Sequence, residues 1–338
     1  MIYRQREEFS LDRLNQMQCY LAEETIDDYR AGHMSRRRML RRLIYICGSS
    51  AAAMSLLAAC GDSTATNVPA TSTATTTIAT TTTAATTTTS VAATTAVAVK
   101  SPLSVAANDP AVDTSEVTFQ SDTQMFGYLA KPKASGTYPG IIVIHENRGL
   151  TDHIRDVARR LAKAGYIALA PDLVSRAGGT GKLSADQIPG FLSQAKIEDL
   201  VKDLNAGVTF LEKQQGVKAD KLGVVGFCFG GSYTLQLAAA NPKILAAVPY
   251  YGVTPNPASI MSKTNAAILG NYGATDTRVD STIPDLEKVM KDNGKIYEKK
   301  LYDGAGHAFN NDTGASYNEP AALAAWQATL DWFGKYLK

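Results

Sequence analysis

The sequence predicts an α/β fold, a mostly parallel sheet with helices on both faces. Three observations predict it. Strand and helix signals alternate from about residue 110 to the end. Several strand segments are continuous apolar runs, as strands buried on both faces should be. One of them, 222–225, runs through a glycine-flanked turn straight into a helix. That alternation argues for a parallel sheet covered by helices.

In chain order, residues 116–120 and 125–130 read as an opening antiparallel pair. Residues 140–145 form an apolar run ending at His145, and 152–163 an amphipathic helix with Asp152 as its expected N-cap. Residues 166–170 form the next strand, ended by Pro171. Residues 197–214 carry apolar side chains at Ile197, Leu200, Val201, Leu204, Val208 and Leu211, which is helical spacing. The strand at 222–225 and the helix from Ser232 to Ala240 follow. Strands at 245–250 and 266–271, a helix near 283–293, a strand near 296–301 and a last helix at 319–336 complete the pattern. Ligands of such sheets bind beyond the carboxyl ends of the strands. His145, Asp172, Cys228, Asp276 and His307 all fall at or just after such ends.

The turn is Gly226-Phe227-Cys228-Phe229-Gly230-Gly231. Strand, sharp turn and helix are the setting of a nucleophile elbow, with Cys where Ser is usual. The neighbours must be small so that backbone can pass close by. A thiol nucleophile needs a base to accept its proton and an acid to orient that base. His307 lies in a loop after the last strand and Asp276 in a loop after the strand before it. Nucleophile, acid, base is the α/β-hydrolase order. Asp303 competes for the acid role but reads as a turn former. His145 reads as a satisfied strand-end histidine and Asp172 as a loop cap.

Residues 110–338 resemble the dienelactone hydrolase family, whose members use Cys, Asp and His in this order. The resemblance rests on His145-Glu146-Asn147-Arg148-Gly149, Ala170-Pro171-Asp172-Leu173, the Cys228 turn and Gly306-His307-Ala308-Phe309. It implies an α/β-hydrolase fold and a thiol-dependent hydrolase of esters or lactones, similar to carboxymethylenebutenolidase. It also implies that Glu146 contacts the resting nucleophile and that the amides of Asn147 and Phe229 form the oxyanion hole. Where family members hold a substrate carboxylate with an arginine, four residues after the histidine, this chain has Asn311. Arg148 and Arg278 are the candidate substitutes, Arg148 the favoured one. A broad carboxylesterase is the nearest alternative, and a non-catalytic surface binding protein is the alternative of another class.

Past residue 60 the chain holds 25 basic and 25 acidic residues, so no nucleic-acid partner is expected. The four cysteines match no zinc or disulfide spacing. No cofactor and no metal are expected, and the domain is expected to act as a monomer on a small molecule.

The N-terminal third reads differently. Ser35-Arg36-Arg37-Arg38-Met39-Leu40-Arg41 resembles a twin-arginine export signal. The apolar run 43–59 ends in Leu57-Ala58-Ala59-Cys60, which resembles a lipoprotein box. The expectation is an export region at 1–59, lipidation at Cys60, membrane anchoring and an extracytoplasmic location. Residues 60–109 are expected to be a disordered linker. Within it, 61–100 hold 17 Thr and 10 Ala, too little apolar surface to offset ordering entropy. The hydrolase domain is then expected at 110–338.

Overall fold

The structure, a computed structural model, describes residues 14–59 and 101–338. Cys60 and the Thr/Ala-rich tract lie outside the described residues.

Eight strands form one sheet in the order β1-β2-β4-β3-β5-β6-β7-β8. They are β1 (Val112–Gln120), β2 (Gln124–Pro132), β3 (Tyr138–Ile144), β4 (Ile167–Asp172), β5 (Val217–Phe227), β6 (Ile244–Tyr250), β7 (Ala267–Gly273) and β8 (Tyr297–Tyr302). β2 is antiparallel to both β1 and β4, and the remaining pairs are parallel. The central strand β3 is buried along Ile141–Ile144, as its unbroken apolar run requires. Register matters for the site. Ile144 of β3 lies opposite Gly226 of β5, and Phe227 lies opposite Tyr250 of β6. The loops after β3, β5 and β6 therefore leave the sheet at one level.

The flanking helices of the sheet are α4 (Asp152–Lys163), α5 (Ile188–Gln194), α6 (Ile197–Glu212), α7 (Phe229–Ala240), α8 (Thr277–Asp280), α9 (Ile283–Asp292) and α10 (Glu319–Leu337). The eight strands and five long helices stand where the sequence puts them. α5 was not legible in advance. Thr151, not Asp152, is the N-cap of α4, and Asp152 is its first residue.

The linker boundary needs correcting. Residues 101–109 lie on the hydrolase domain. The Ser101 N–H and the Ser104 hydroxyl both donate to Asp312 Oδ2, and the Val105 N–H donates to Asp156 Oδ1 at 2.7 Å. Two serines and one buried valine carry no strand or helix period, so the sequence hides the contact.

The segment expected to be an export leader forms three helices, α1 (Gln16–Arg30), α2 (Arg36–Cys47) and α3 (Ser50–Ala59). α1 opens with a reciprocal capping box between Asn15 and Gln18. Its buried residues, Tyr20, Leu21, Ala22, Thr25 and Ile26, recur at helical spacing. Polar side chains fix the layer to the domain. Asn15 Nδ2 donates to Ser193 O, Gln16 Nε2 donates to Thr254 O, and Asn256 N donates to Gln16 Oε1. The arginine run serves the same end. Arg38, Arg41 and Arg42 converge on Asp186, at 2.9, 3.2 and 3.2 Å. Burial alone would push the Asp186 carboxyl up, but hydrogen bonds from Arg38 and Arg42 hold it below the usual range. Met39, Leu43, Ile46, Leu56 and Leu57 are buried in the same layer. Among the described residues no helix is long and apolar enough to cross a membrane.

Candidate active site

Cys228 sits between β5 and α7 with φ 56° and ψ −119°, a conformation costly for any residue but glycine. The surrounding glycines make it possible. A Cβ on Gly230 would meet Ile144 O at 2.3 Å, and one on Gly226 would meet Gly230 O at 2.2 Å. The strand before the turn and the helix after it thus touch through bare backbone. Cys228 itself is 2% exposed.

His307 follows β8, and its Nδ1 lies 2.5 Å from Asp276 Oδ2 in the loop after β7. An ionised carboxylate only accepts, so Nδ1 carries the proton and Nε2 is left as an acceptor. Burial alone would lower the His307 pKa, but the charge and hydrogen bond of Asp276 raise it above the ordinary value. Burial would raise the Asp276 carboxyl, and His307 and Arg278 bring it below its ordinary range. Asp303 is exposed on the turn and takes no part in this pair.

The thiol faces an unexpected neighbour. Cys228 Sγ donates to Glu24 of α1, at 3.4 and 3.6 Å from its two oxygens. The Tyr20 hydroxyl, one turn earlier, lies 3.4 Å from Sγ, 3.3 Å from His307 Nε2 and 3.5 Å from Tyr251 O. Burial pushes the thiol well above its ordinary pKa, and the charges of Glu24 and Glu146 add to this. The Tyr20 hydroxyl and the Phe229 N–H oppose them. Burial and the two carboxylates therefore favour the thiol form of Cys228. Arg278 closes the group. Its guanidinium stacks 4.4 Å over the Tyr20 ring, and Nε lies 3.6 Å from Asp27 Oδ2.

Glu146, buried after β3, is placed differently from the expectation. Its Oε2 accepts from Asn311 Nδ2 at 2.6 Å, and Oε1 has no hydrogen-bond partner among the described residues. It bears on the thiol through its charge, while the hydrogen bond of the thiol goes to Glu24. Asn311 in turn accepts from Thr313 N and Oγ1, so its amide is used in holding Glu146. A pocket of about 240 Å³ is lined by Cys228, Glu146, Asn147 and Arg148 from the hydrolase domain, and by Glu24 and Arg38 from the helical layer. Arg148 is exposed on its rim.

Two side residues behave as read. His145 Nε2 accepts from Leu173 N, so its Nδ1–H donates to Glu146 O, and the ring is fully satisfied. Asp172 accepts from Val174 N, Thr180 N and Thr180 Oγ1, which makes it a loop cap. Donor atoms of Glu24, Cys228 and His307 lie within 4.8 Å of one another, a spacing that could take an ion. The S–H donated to Glu24 and the Tyr20 hydroxyl between the other two account for that closeness in full.

The dienelactone hydrolase family model matches residues 125–337. The chain belongs to that family. It is 33% identical over 251 residues to a Methylorubrum extorquens protein named "Putative carboxymethylenebutenolidase", covering 71% of this chain and 86% of that one. A Bradyrhizobium protein named "Probable 2-oxo-3-(5-oxofuran-2-ylidene)propanoate lactonase" is 35% identical, covering 67% of this chain and 95% of its own. Among solved structures, the Klebsiella pneumoniae protein named "Putative Dienelactone Hydrolase" superposes with a TM-score of 0.63 at 33% identity. It covers 67% of this chain and all of its own. This dienelactone hydrolase family member is a hydrolase of carboxylic esters or lactones. The reading as a non-catalytic binding protein is set aside.

Tyr20 and Glu24 are the site residues that sequence reasoning missed, because the export reading takes residues 1–59 as one block. The signal was present. An Asn-x-x-Gln capping box and an apolar stripe at helical spacing precede the paired arginines.

Proposed function

We propose that Cys228, His307 and Asp276 form a thiol-based catalytic triad working through an acyl-enzyme. The supporting observation is the His307–Asp276 pair, 2.5 Å apart, whose unprotonated Nε2 shares the Tyr20 hydroxyl with the strained, buried Cys228. The thiol proton passes to His307. The thiolate attacks the ester carbonyl carbon, and the oxyanion is taken up by the amides of Phe229 and Asn147. Two such donors, preorganised, are worth about 3 kcal/mol each to the tetrahedral intermediate. The C–O bond then breaks, and His307 returns its proton to the leaving oxygen. Water, deprotonated by His307, attacks the thioester, and carboxylate and thiol are released. In a lactone the leaving oxygen stays on the same molecule.

The test is hydrolysis of a p-nitrophenyl ester by Cys228→Ala, which should be lost while the thermal melt is retained. Hydrolysis near the wild-type rate would overturn the triad.

The substrate preference follows from Asn311. Its amide is held by Glu146 and Thr313, and no arginine replaces it in that place. Losing one charge-assisted contact costs about 1.5–3 kcal/mol, or about ten- to a hundredfold in binding. A weak preference for carboxylate-bearing lactones over neutral esters is expected, with Arg148 supplying what preference there is. kcat/KM for a dienelactone and its methyl ester, in wild type and Arg148→Ala, checks this. A strong preference surviving Arg148→Ala would place the anion site elsewhere.

Export by the twin-arginine route and lipidation at Cys60 rest on the sequence motif. Retention of residues 14–59 in the working enzyme is supported by the Asp186 ion pairs and the contacts of α1 with Cys228. The intact mass of the protein from its own cell separates the two, because cleavage before Cys60 removes all three helices.

A further inference from the structure

The triad has a gap. A ring nitrogen of His307 lies within 4.8 Å of Sγ, and the thiol hydrogen is given to Glu24 rather than to the base. The one hydroxyl among the described residues that bonds both Sγ and Nε2 is that of Tyr20, at 3.4 and 3.3 Å. Tyr20 is 4% exposed, clamped between Arg278 on one face of its ring and the edge of His307 on another side. α1 is seated by an independent device as well. Gly190 of α5 has no room for a side chain, because a Cβ there would meet Tyr45 O of α2 at 2.6 Å. The hydrolase domain thus makes room for the helical layer that carries Tyr20.

Resting on the triad reading above, we propose that α1 is a working part of the active site: Tyr20 relays the proton from Cys228 to His307, and Glu24 holds the resting thiol. When the S–H turns away from Glu24, it is donated to Tyr20 Oη. The S–H bond breaks and an Oη–H bond forms. The tyrosine's original proton leaves for His307 Nε2, which becomes imidazolium against Asp276. Tyrosine begins and ends neutral, and the net change is thiol plus imidazole to thiolate plus imidazolium. A neutral relay suits this place, since burial and the neighbouring Cys228 and Glu24 make a tyrosinate costly. The groups facing the His307–Cys228 pair are Asp276, Glu24, Glu146, Arg278, Tyr20 and Tyr251.

The experiment uses the full chain, with its intact mass recorded, and p-nitrophenyl acetate as probe. The acylation burst is measured in wild type, Tyr20→Phe, Glu24→Gln and Cys228→Ala. Tyr20→Phe keeps the ring, its packing and the Arg278 stack, so it isolates the hydroxyl. Its acylation rate should fall about tenfold or more, the lower range for a positioned proton-transfer group, with KM within about twofold. Glu24→Gln should move the acid limb of the pH–rate profile down, because Glu24 is one of the charges that raises His307. An undiminished burst in Tyr20→Phe overturns the relay, and a faster one makes α1 a plug instead. A working enzyme whose mass begins at Cys60 also overturns it. Loss of the triad reading is distinct, since it appears in Cys228→Ala regardless of Tyr20.

Discussion

The sheet and the helical layer that caps its carboxyl edge meet at one thiol, yet they differ in how they are held: the sheet by a strand ladder buried on both faces, the layer by one buried face and a set of polar contacts. Strands β3 to β6 are buried along the stretches that lead to the site, Leu222–Phe227 in β5, and the loops after β3, β5 and β6 leave at a common level set by register. The layer of α1–α3 is thinner. It leaves Ile44, Tyr45 and Met54 exposed, and it is fixed by one buried apolar face, Leu21, Ile26, Met39, Leu43 and Ile46, together with polar contacts and the Asp186 ion pairs. The sheet places Cys228, Asp276 and His307 with backbone that cannot shift without breaking the core. The layer places Tyr20 and Glu24 with contacts that single substitutions can loosen. One half of the site is therefore as stable as the fold, and the other half is separable from it.

The comparison can be broken most severely from the sheet side. Gly230→Val adds a side chain where Cβ already meets backbone oxygens at 2.3 and 2.5 Å, with no flexible group to yield. It should cost about 4 kcal/mol or prevent folding, read by denaturant melts. Asp276→Asn leaves the fold but removes the partner of the Nδ1 proton. kcat should fall by about 10³–10⁴ with little change in the melting temperature at neutral pH.

Sharper tests act on the layer alone. Gly190→Leu should force α2 away from α5. Limited proteolysis should then cut within residues 30–59 while the sheet melts as before. The burst rate should fall toward that of Tyr20→Phe. Asp186→Asn leaves three arginines without their shared carboxylate. Arg38 and Arg41 are half exposed, but Arg42 is 3% exposed and loses its carboxylate in a buried place, so the loss should be about 3 kcal/mol, with only the Arg38 and Arg41 part weakened by salt. The folded pKa of Asp186 is depressed, so this contribution is present above its unfolded value, about 3.9, and fades as pH falls through the folded value.

The smallest effect is on pH dependence. His307 has a folded pKa above its ordinary value of about 6.5. Its stabilisation is fully present below about pH 6.5 and is lost as pH rises through the folded value. Catalysis runs the other way, because the base must be neutral, so the acid limb of kcat/KM should lie above pH 6.5. A limb at or below 6.5 in the wild type would show that Asp276 and Glu24 do not act on His307 as drawn.

The sequence by itself determined the sheet, the order of its strands and helices, and the three groups Cys228, Asp276 and His307. Each of these rests on a local pattern: apolar runs, helical spacing, a glycine-flanked turn, and residues at strand ends. Periodicity reports which face is buried, and strand ends converge in any parallel sheet, so position along the chain translates into position in space. The tertiary structure alone decided which carboxylate meets the thiol. Glu24 and Cys228 are 204 residues apart and share no pattern, whereas Glu146, the carboxylate that the family resemblance points to, is held by Asn311. It also shows the partner of the arginine run, with Arg38, Arg41 and Arg42 on Asp186. A chain of Arg and Leu reads alike whether it addresses a protein for export or binds Asp186. The difference lies in the partner across the contact, which no local stretch of sequence records.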